Sequence, residues 1–340
     1  MSGEQMTQKT REFHLARRPH GVPVADDYRL VERELPDPAE GDVLIRNVAL
    51  SIDPYMRPRM NDVPSYIPPF QIDEPMPGGA VGEVIASHDP RVPEGSMVVH
   101  DHGWREHAIA RADEVRVIEP GGHPWTYYLG VLGMPGLTAY AGLFDVASFT
   151  AGEAVFVSAA GGAVGGLAGQ FARLAGASRV VGSAGTQDKV RYAVETLGFD
   201  HAFNYKDGKL TKQLAQAFPG GFDVYFDNVG GDHLAAALEV INWYGRMALC
   251  GAVSVYTATE VPMIPGRLFR AIGKRLRLQG FIVFDHNHLI PEFETRVGAW
   301  LDSGELVYRE HVTDGLEQMP SAFAGMLAGD NTGKAVIRLD

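Results

Sequence analysis

The chain has 340 residues, a length that points to two domains, with 45% hydrophobic and 21% charged residues, enough apolar material for a sizeable core. Its 30 Lys plus Arg against 42 Asp plus Glu give a net charge of -12, which argues against a nucleic-acid or anionic-membrane partner. One cysteine, Cys250, excludes a disulfide framework and a multi-thiolate zinc site, and residues 1–18 carry neither a signal-peptide apolar run nor a membrane span. The expected setting is the cytoplasm.

From residue 12 to about residue 124, prolines punctuate short extended segments. Residues 42–50, 80–86 and 95–99 read as strands, so this part is mostly antiparallel β. The proline-dense stretch 63–77 (Pro64, Pro68, Pro69, Pro75, Pro77) reads as a long loop of the kind that carries function. After Trp125 strands and helices alternate: strand 153–158, helix 165–174, strand 179–182, helix 188–197, strand 201–205, helix 210–218, strand 222–226, helix 233–241 and strand 246–250. That alternation predicts a parallel, doubly wound sheet with helices on both faces. At the end, a helix over 319–327 and a strand over 334–338 could pack on either part.

The densest signal is Val155-Phe156-Val157-Ser158-Ala159-Ala160-Gly161-Gly162-Ala163-Val164-Gly165-Gly166, a strand that runs into a glycine turn and opens a helix. Glycines there let backbone approach a pyrophosphate, and the helix N-terminus offers N–H donors. The spacing is A-x-x-G-x-x-G, so the strand-before, helix-after context carries more weight than the motif. An NAD site wants a carboxylate at the end of the second strand, yet none follows Val181-Gly182-Ser183-Ala184-Gly185-Thr186 until Asp188. A hydroxyl turn containing Ser183, followed by Lys189, suits a 2′-phosphate, so NADPH is the expected cofactor.

Further motifs follow in order: Leu50-Ser51-Ile52-Asp53-Pro54-Tyr55-Met56-Arg57, Gly78-Gly79-Ala80-Val81-Gly82-Glu83-Val84, Phe203-Asn204-Tyr205-Lys206, Tyr225-Phe226-Asp227-Asn228-Val229-Gly230-Gly231, Cys250-Gly251-Ala252-Val253-Ser254-Val255-Tyr256 and Gly329-Asp330-Asn331-Thr332-Gly333-Lys334. With these the whole chain resembles the zinc-independent medium-chain dehydrogenase/reductases, specifically the prostaglandin reductase and alkenal double-bond reductase family, in a branch like the bacterial curcumin reductases. The resemblance implies a chaperonin-10-like (GroES-like) β-rich catalytic domain, residues 1–128 and 306–340, and a Rossmann domain, residues 129–305. Where zinc members of that superfamily carry Gly-His-Glu, this chain has Gly78-Gly79-Ala80. His100, His102 and His107 lack a thiolate or matching carboxylate at ligand spacing and read as loop and surface residues, so no metal is expected.

The resemblance further implies that Gly162, Ala163, Val164 and Gly165 hold the pyrophosphate, and that Lys189 and Tyr205 meet the 2′-phosphate region. It puts Asn228 at the carboxyl edge of the sheet. Cys250, Gly251, Ser254 and Tyr256, with Phe281 and Val283, line the nicotinamide channel, and Asn331 returns from the C-terminal segment. The implied reaction reduces the C=C bond of a small hydrophobic enone or enal. It leaves charge on the carbonyl oxygen and needs a proton at the α-carbon. A phenol serves both needs, and Tyr256 is the candidate, with Tyr55 touching substrate; the residue-level alternative for Tyr256 is a loop aromatic packed on Pro262 or Pro265. Tyr66, Phe70, Tyr256 and Phe281 fit an apolar slot and fit a core equally well. Quinone reduction and a non-catalytic NADP-binding redox sensor are the alternatives. The apolar run 276–284 is the candidate edge for a two-fold homodimer.

Overall fold

The computed structural model describes residues 8–119, 121–260 and 266–339. The chain forms two compact units, one of residues 1–129, 311–330 and 335–340, the other of residues 130–310 and 331–334.

In the first unit, β1 (Lys9–Leu15) and β2 (Tyr28–Glu34) form an antiparallel pair. β3 (Asp42–Ser51), β4 (Ala80–Ser87), β5 (Met97–His100), β6 (His107–Arg111) and β7 (Arg116–Val117) join the late strands Glu310–Asp314 and Lys334–Arg338 in one sheet, in which β3 to β7 and Lys334–Arg338 pair antiparallel. β3 is its centre, paired with β4, β6 and Lys334–Arg338, and its near-continuous apolar sequence is buried on both faces. The late strand therefore packs on this unit. A side chain on Gly82 would lie 2.4 Å from Ile45, so glycine is what lets β4 cross β3 at this bulged register.

The core of this unit is aromatic. Trp104 is wholly buried, stacked on Tyr28 at 5.6 Å between ring centroids and edge-on to Phe13 and Phe323. Phe70 belongs to the same core, whereas Tyr66 is 55% exposed. The stretch 63–77 is irregular, in keeping with its prolines.

The second unit holds six parallel strands: β8 (Ala154–Val157), β9 (Arg179–Ala184), β10 (His201–Asn204), β11 (Val224–Asp227), β12 (Arg246–Leu249) and β13 (Arg277–Gly280). Their spatial order is β10-β9-β8-β11-β12-β13, the doubly wound order in which the sheet reverses direction beside the first strand. A side chain on Gly182 would lie 2.5 Å from Ala160 Cβ, so the second strand and the glycine turn approach only because that position is bare. The helix expected over 188–197 is one α-turn, Gln187–Arg191, continued by a π-turn, Tyr192–Thr196. Elements additional to the sequence reading include the helix Met134–Tyr140, its π-helical continuation Ala141–Val146, and the helices Arg270–Lys274 and Ile290–Asp302.

Trp104→Ala should destabilise the first unit by about 3–5 kcal/mol, because it empties the centre of an aromatic cluster. Chemical denaturation followed by circular dichroism measures this, and an unchanged midpoint would contradict the packing role.

Candidate functional site

The strand ends of the second unit converge on a crevice. β8 leaves the sheet through Ala159, whose φ of +55° is unusual for a residue with a side chain, and turns through Gly161 and Gly162 into the helix Ala163–Leu174. The first bond of that helix runs from Gly166 N–H to Gly162 C=O at 3.0 Å, so the N–H groups of Ala163, Val164 and Gly165 lie ahead of the ladder. A Cβ on Gly162 would meet only Ala159 O, at 3.3 Å, while one on Gly165 would sit 2.4 Å from the same oxygen. These positions fit a pyrophosphate: backbone donors at a helix N-terminus, with no side chain in front of them.

Two further segments close on this turn. Gly333 N–H donates to Gly161 C=O at 2.9 Å, and Asn331 Nδ2 donates to Gly333 C=O at 2.7 Å, so the structure brings Asn331 beside the glycines. From the second strand, the Lys189 stem lies within about 3.0 Å of where a Gly161 Cβ would stand. Tyr205 follows β10, and its ring lies 3.3 Å from a Cβ placed on Gly185. Lys189 and Tyr205 thus reach the ends of β9 and β10, where the adenosine side of such sheets binds. Ser183 needs correction: it is not in the turn but inside β9, fully buried, and Thr186 caps the next helix by accepting Lys189 N–H at 3.3 Å. The strand runs two residues beyond the expected end because Phe203 and Asn204 of β10 continue its pairing.

The opposite side of the crevice hangs on β11. Asn228 donates its backbone N–H to Ser158 Oγ at 2.9 Å and its Nδ2 to Ser158 C=O at 2.8 Å, tying β11 to the turn after β8. Asp227, quoted above only as part of a motif, is 1% exposed, and its Oδ1 accepts Tyr225 O–H at 2.6 Å, Val229 N–H at 2.9 Å and Gly230 N–H at 2.8 Å. Burial pushes its carboxyl pKa upward, against the pull of these donors. Cys250 and Gly251 donate backbone N–H to Asp227 C=O at 2.9 and 3.0 Å, and Ser254 Oγ donates to Val229 C=O at 2.6 Å. The loop carrying Tyr256 is therefore fastened to the loop after β11. Tyr256 folds back so that its phenolic oxygen accepts Ala252 N–H at 3.3 Å. Burial pushes the Cys250 thiol up to about 12, which keeps it protonated and a poor nucleophile. Phe281 stands edge-on to Phe226 and to His286, and Val283 begins the helical turn Val283–Leu289. Pro262 and Pro265, the alternative packing partners for Tyr256, lie outside the described residues.

With that geometry in view, residues 11–118 match the family described as the N-terminal domain of oxidoreductase, and residues 163–301 the family described as zinc-binding dehydrogenase. The chain is 45% identical to the NADPH-dependent curcumin reductase of Escherichia coli over 98% of both chains. It is 42% identical to the NADP(+)-dependent 2-alkenal reductase of Nicotiana tabacum over 93% of this chain and 94% of that one. CurA from Vibrio vulnificus, solved in complex with NADPH, superposes with a TM-score of 0.92 at 42% identity, over 97% of this chain and 99% of that one. The chain belongs to the prostaglandin and alkenal double-bond reductase family of medium-chain dehydrogenase/reductases.

Among the described residues no group of three His, Cys, Asp or Glu side chains is placed to hold a metal ion. His102 lies in the loop between β5 and β6 as expected, but His100 and His107 are strand residues, and His100 is buried. His100 ends β5 and is 3% exposed, with Nε2 2.9 Å from Asn47 Oδ1; His107 begins β6; and His102 pairs with Glu114. The strand alternation that buries Val98 also turns His100 inward. In the first unit Tyr55 precedes the short helix Met56–Arg59, and burial pushes its phenol pKa upward. Burial also raises Asp101, and Arg59, whose Nε donates to Pro68 C=O, stacks 4.3 Å over Phe70.

Burial lowers the His100 pKa to about 3. An unfolded histidine binds a proton near pH 6.5, so between that pH and about 3 the unfolded state holds the extra proton and stability falls with acidity. His100 should contribute a slope of up to about 1.4 kcal/mol per pH unit below pH 6.5. Urea midpoints from pH 7 to 5 should show it, and His100→Gln should flatten it.

Proposed function

We propose that this chain reduces the C=C bond of small α,β-unsaturated aldehydes and ketones with NADPH. The observation that supports this most strongly is the likeness, at 40–45% identity along nearly the whole chain, to reductases named for curcumin, 2-alkenals and prostaglandins. The crevice fits that cofactor through the bare glycine turn, through Lys189 lying over Gly161, and through the absence of a carboxylate in the Gly185-Thr186 turn.

NADPH, when bound, supplies the hydride for the β-carbon. The chain's own part begins with Gly162, Ala163, Val164 and Gly165, which hold the pyrophosphate, while Lys189 and Tyr205 hold the 2′-phosphate end. Asn228, Cys250, Gly251, Ser254, Phe281, Val283 and Asn331 complete the cofactor's surroundings. Ser183 contributes from within the strand rather than at the phosphate. Tyr256 brings its phenol to the loop after β12, where its oxygen accepts Ala252 N–H, and a phenol is both a donor and an acceptor. That O–H stabilises the developing enolate oxygen or protonates the α-carbon. Tyr55 is assigned to substrate contact in the first unit.

We further propose a homodimer. β13 is bonded only to β12 within the sheet, and Ile272, 81% exposed, and Phe284, 54% exposed, flank it in sequence. A sheet edge of this kind is completed by a second copy across a two-fold axis. Among the described residues no helix is long and apolar enough to cross a membrane, and with one cysteine and an acidic composition we place the protein in the cytoplasm.

An enal, an enone and a quinone assayed side by side with NADPH and NADH should show turnover of the first two and a preference for NADPH. Lys189→Ala should cut that preference about 10- to 100-fold through loss of a charge-assisted contact. Tyr256→Phe should lower kcat roughly 10²- to 10⁴-fold; a loss under threefold would remove Tyr256 from proton delivery. Light scattering should give roughly twice the monomer mass, and a monomer would reject the edge pairing.

A further inference from the structure

We propose that His233 recognises the purine base of the bound dinucleotide. The assignment rests on the NADPH reading above and adds to it a contact that tells one base from another. His233 lies in the first turn of the helix Gly231–Val240, one residue beyond the Gly230-Gly231-Asp232 turn, in which Gly230 and Gly231 have φ of +71° and +50°. It is 4% exposed, and its Nε2 is buried with no hydrogen-bond partner. Its ring stands edge-on to Tyr205 at 5.0 Å, and Tyr205 in turn lies against the bare Gly185.

A second buried atom without a partner lies on the same side. Ser183 Oγ is fully buried and unbonded. Alternation along β9 puts it on the face of Val181, which packs in one cluster with Ala236 and Ala237 of the His233 helix. Both unpaired polar atoms therefore face the layer between the sheet and the His233 helix, and a doubly wound sheet receives adenosine just beyond the carboxyl ends of its strands. Such atoms are costly to bury, and of those among the described residues His233 Nε2 belongs to a ring that packs on Tyr205, so the ligand is its proposed partner.

The charge state favours the base over the phosphate. Burial lowers the His233 pKa to about 4, against a smaller opposing pull from Asp232. At neutral pH the ring then has one donor and one acceptor nitrogen, which suits the amino and ring-nitrogen edge of adenine. Lys189 supplies the permanent cation for the 2′-phosphate. Packing alone, with the imidazole as an aromatic edge on Tyr205, is the competing explanation, and phenylalanine would satisfy it fully.

The test is the dissociation constant, by quenching of protein fluorescence, for NADPH and for its analogue with hypoxanthine in place of adenine. The wild type should prefer the adenine form about tenfold, the value of one hydrogen bond. His233→Phe should weaken NADPH binding about tenfold and bring the base ratio to near one, with the NADPH-to-NADH ratio unchanged; His233→Gln should retain part of the base preference. A wild type that binds the two bases equally overturns the assignment whatever the variants do, and so does a Phe variant with an unaltered base ratio. Absence of NADPH binding to the wild type would instead overturn the cofactor reading, and the assignment with it.

Discussion

One carboxylate oxygen organises the crevice. Asp227 Oδ1, out of contact with water, gathers the Tyr225 hydroxyl and the N–H groups of Val229 and Gly230, with Ser158 Oγ a further 3.3 Å contact. An ionised carboxylate is stable in such a place only if it is thoroughly hydrogen-bonded, and the loop after β11 must curl around it to supply the donors. That curl aims the carbonyls of Asp227, Asn228 and Val229 at the next loop, which accepts the arrangement through Cys250, Gly251, Val253 and Ser254. Tyr256 takes its position from that loop. The loop that carries Tyr256 is thus held in place by a carboxylate buried beneath it.

The legible parts of the sequence were those where local rules and tertiary structure agree. The turn after β8 announced itself because a β-rich run, glycines and a helical pattern follow one another within a dozen residues. The alternation through the first five parallel strands was equally plain, since each is a short apolar run between helices, while β13, Arg277-Leu278-Gln279-Gly280, showed only as part of a candidate edge. His100 was misread because three apolar residues and a histidine look like a strand that stops one residue early; only the pairing of β4 with β5 shows that the alternation carries it inward. Ser183 failed in the same way at the end of β9. The helix Ile290–Asp302 was readable in principle: Pro291 opens it, and Phe293 and Val297 recur at helical spacing as its buried face. The Met134–Tyr140 helix also carries a proline in its first turn, Pro135, but Gly136 weakens the local signal, and glycine is needed there because a Cβ would lie 2.0 Å from Val131 O. No local rule places Trp104, at φ +59°, in the centre of a core.

An acidic chain that takes a multiply charged anionic cofactor is no contradiction. At physiological ionic strength charges are screened beyond about 8 Å, so the net charge of -12 is felt mainly as solubility. What a phosphate meets on arrival is local: unbonded N–H groups ahead of Gly166 and the lysine lying across Gly161. The carboxyl nearest that region in sequence, Asp188, is drawn away by Arg191. Field and net charge are decided by different residues, which is why composition excludes polyanionic partners without excluding a small phosphorylated one.

The bond between Gly333 and Gly161 joins residues 172 positions apart. During synthesis the six parallel strands and their helices can be complete while the glycine turn still lacks this partner. The glycine turn therefore gains its last backbone partner only after residue 333 has emerged and folded back, so this corner of the unit is finished late in synthesis.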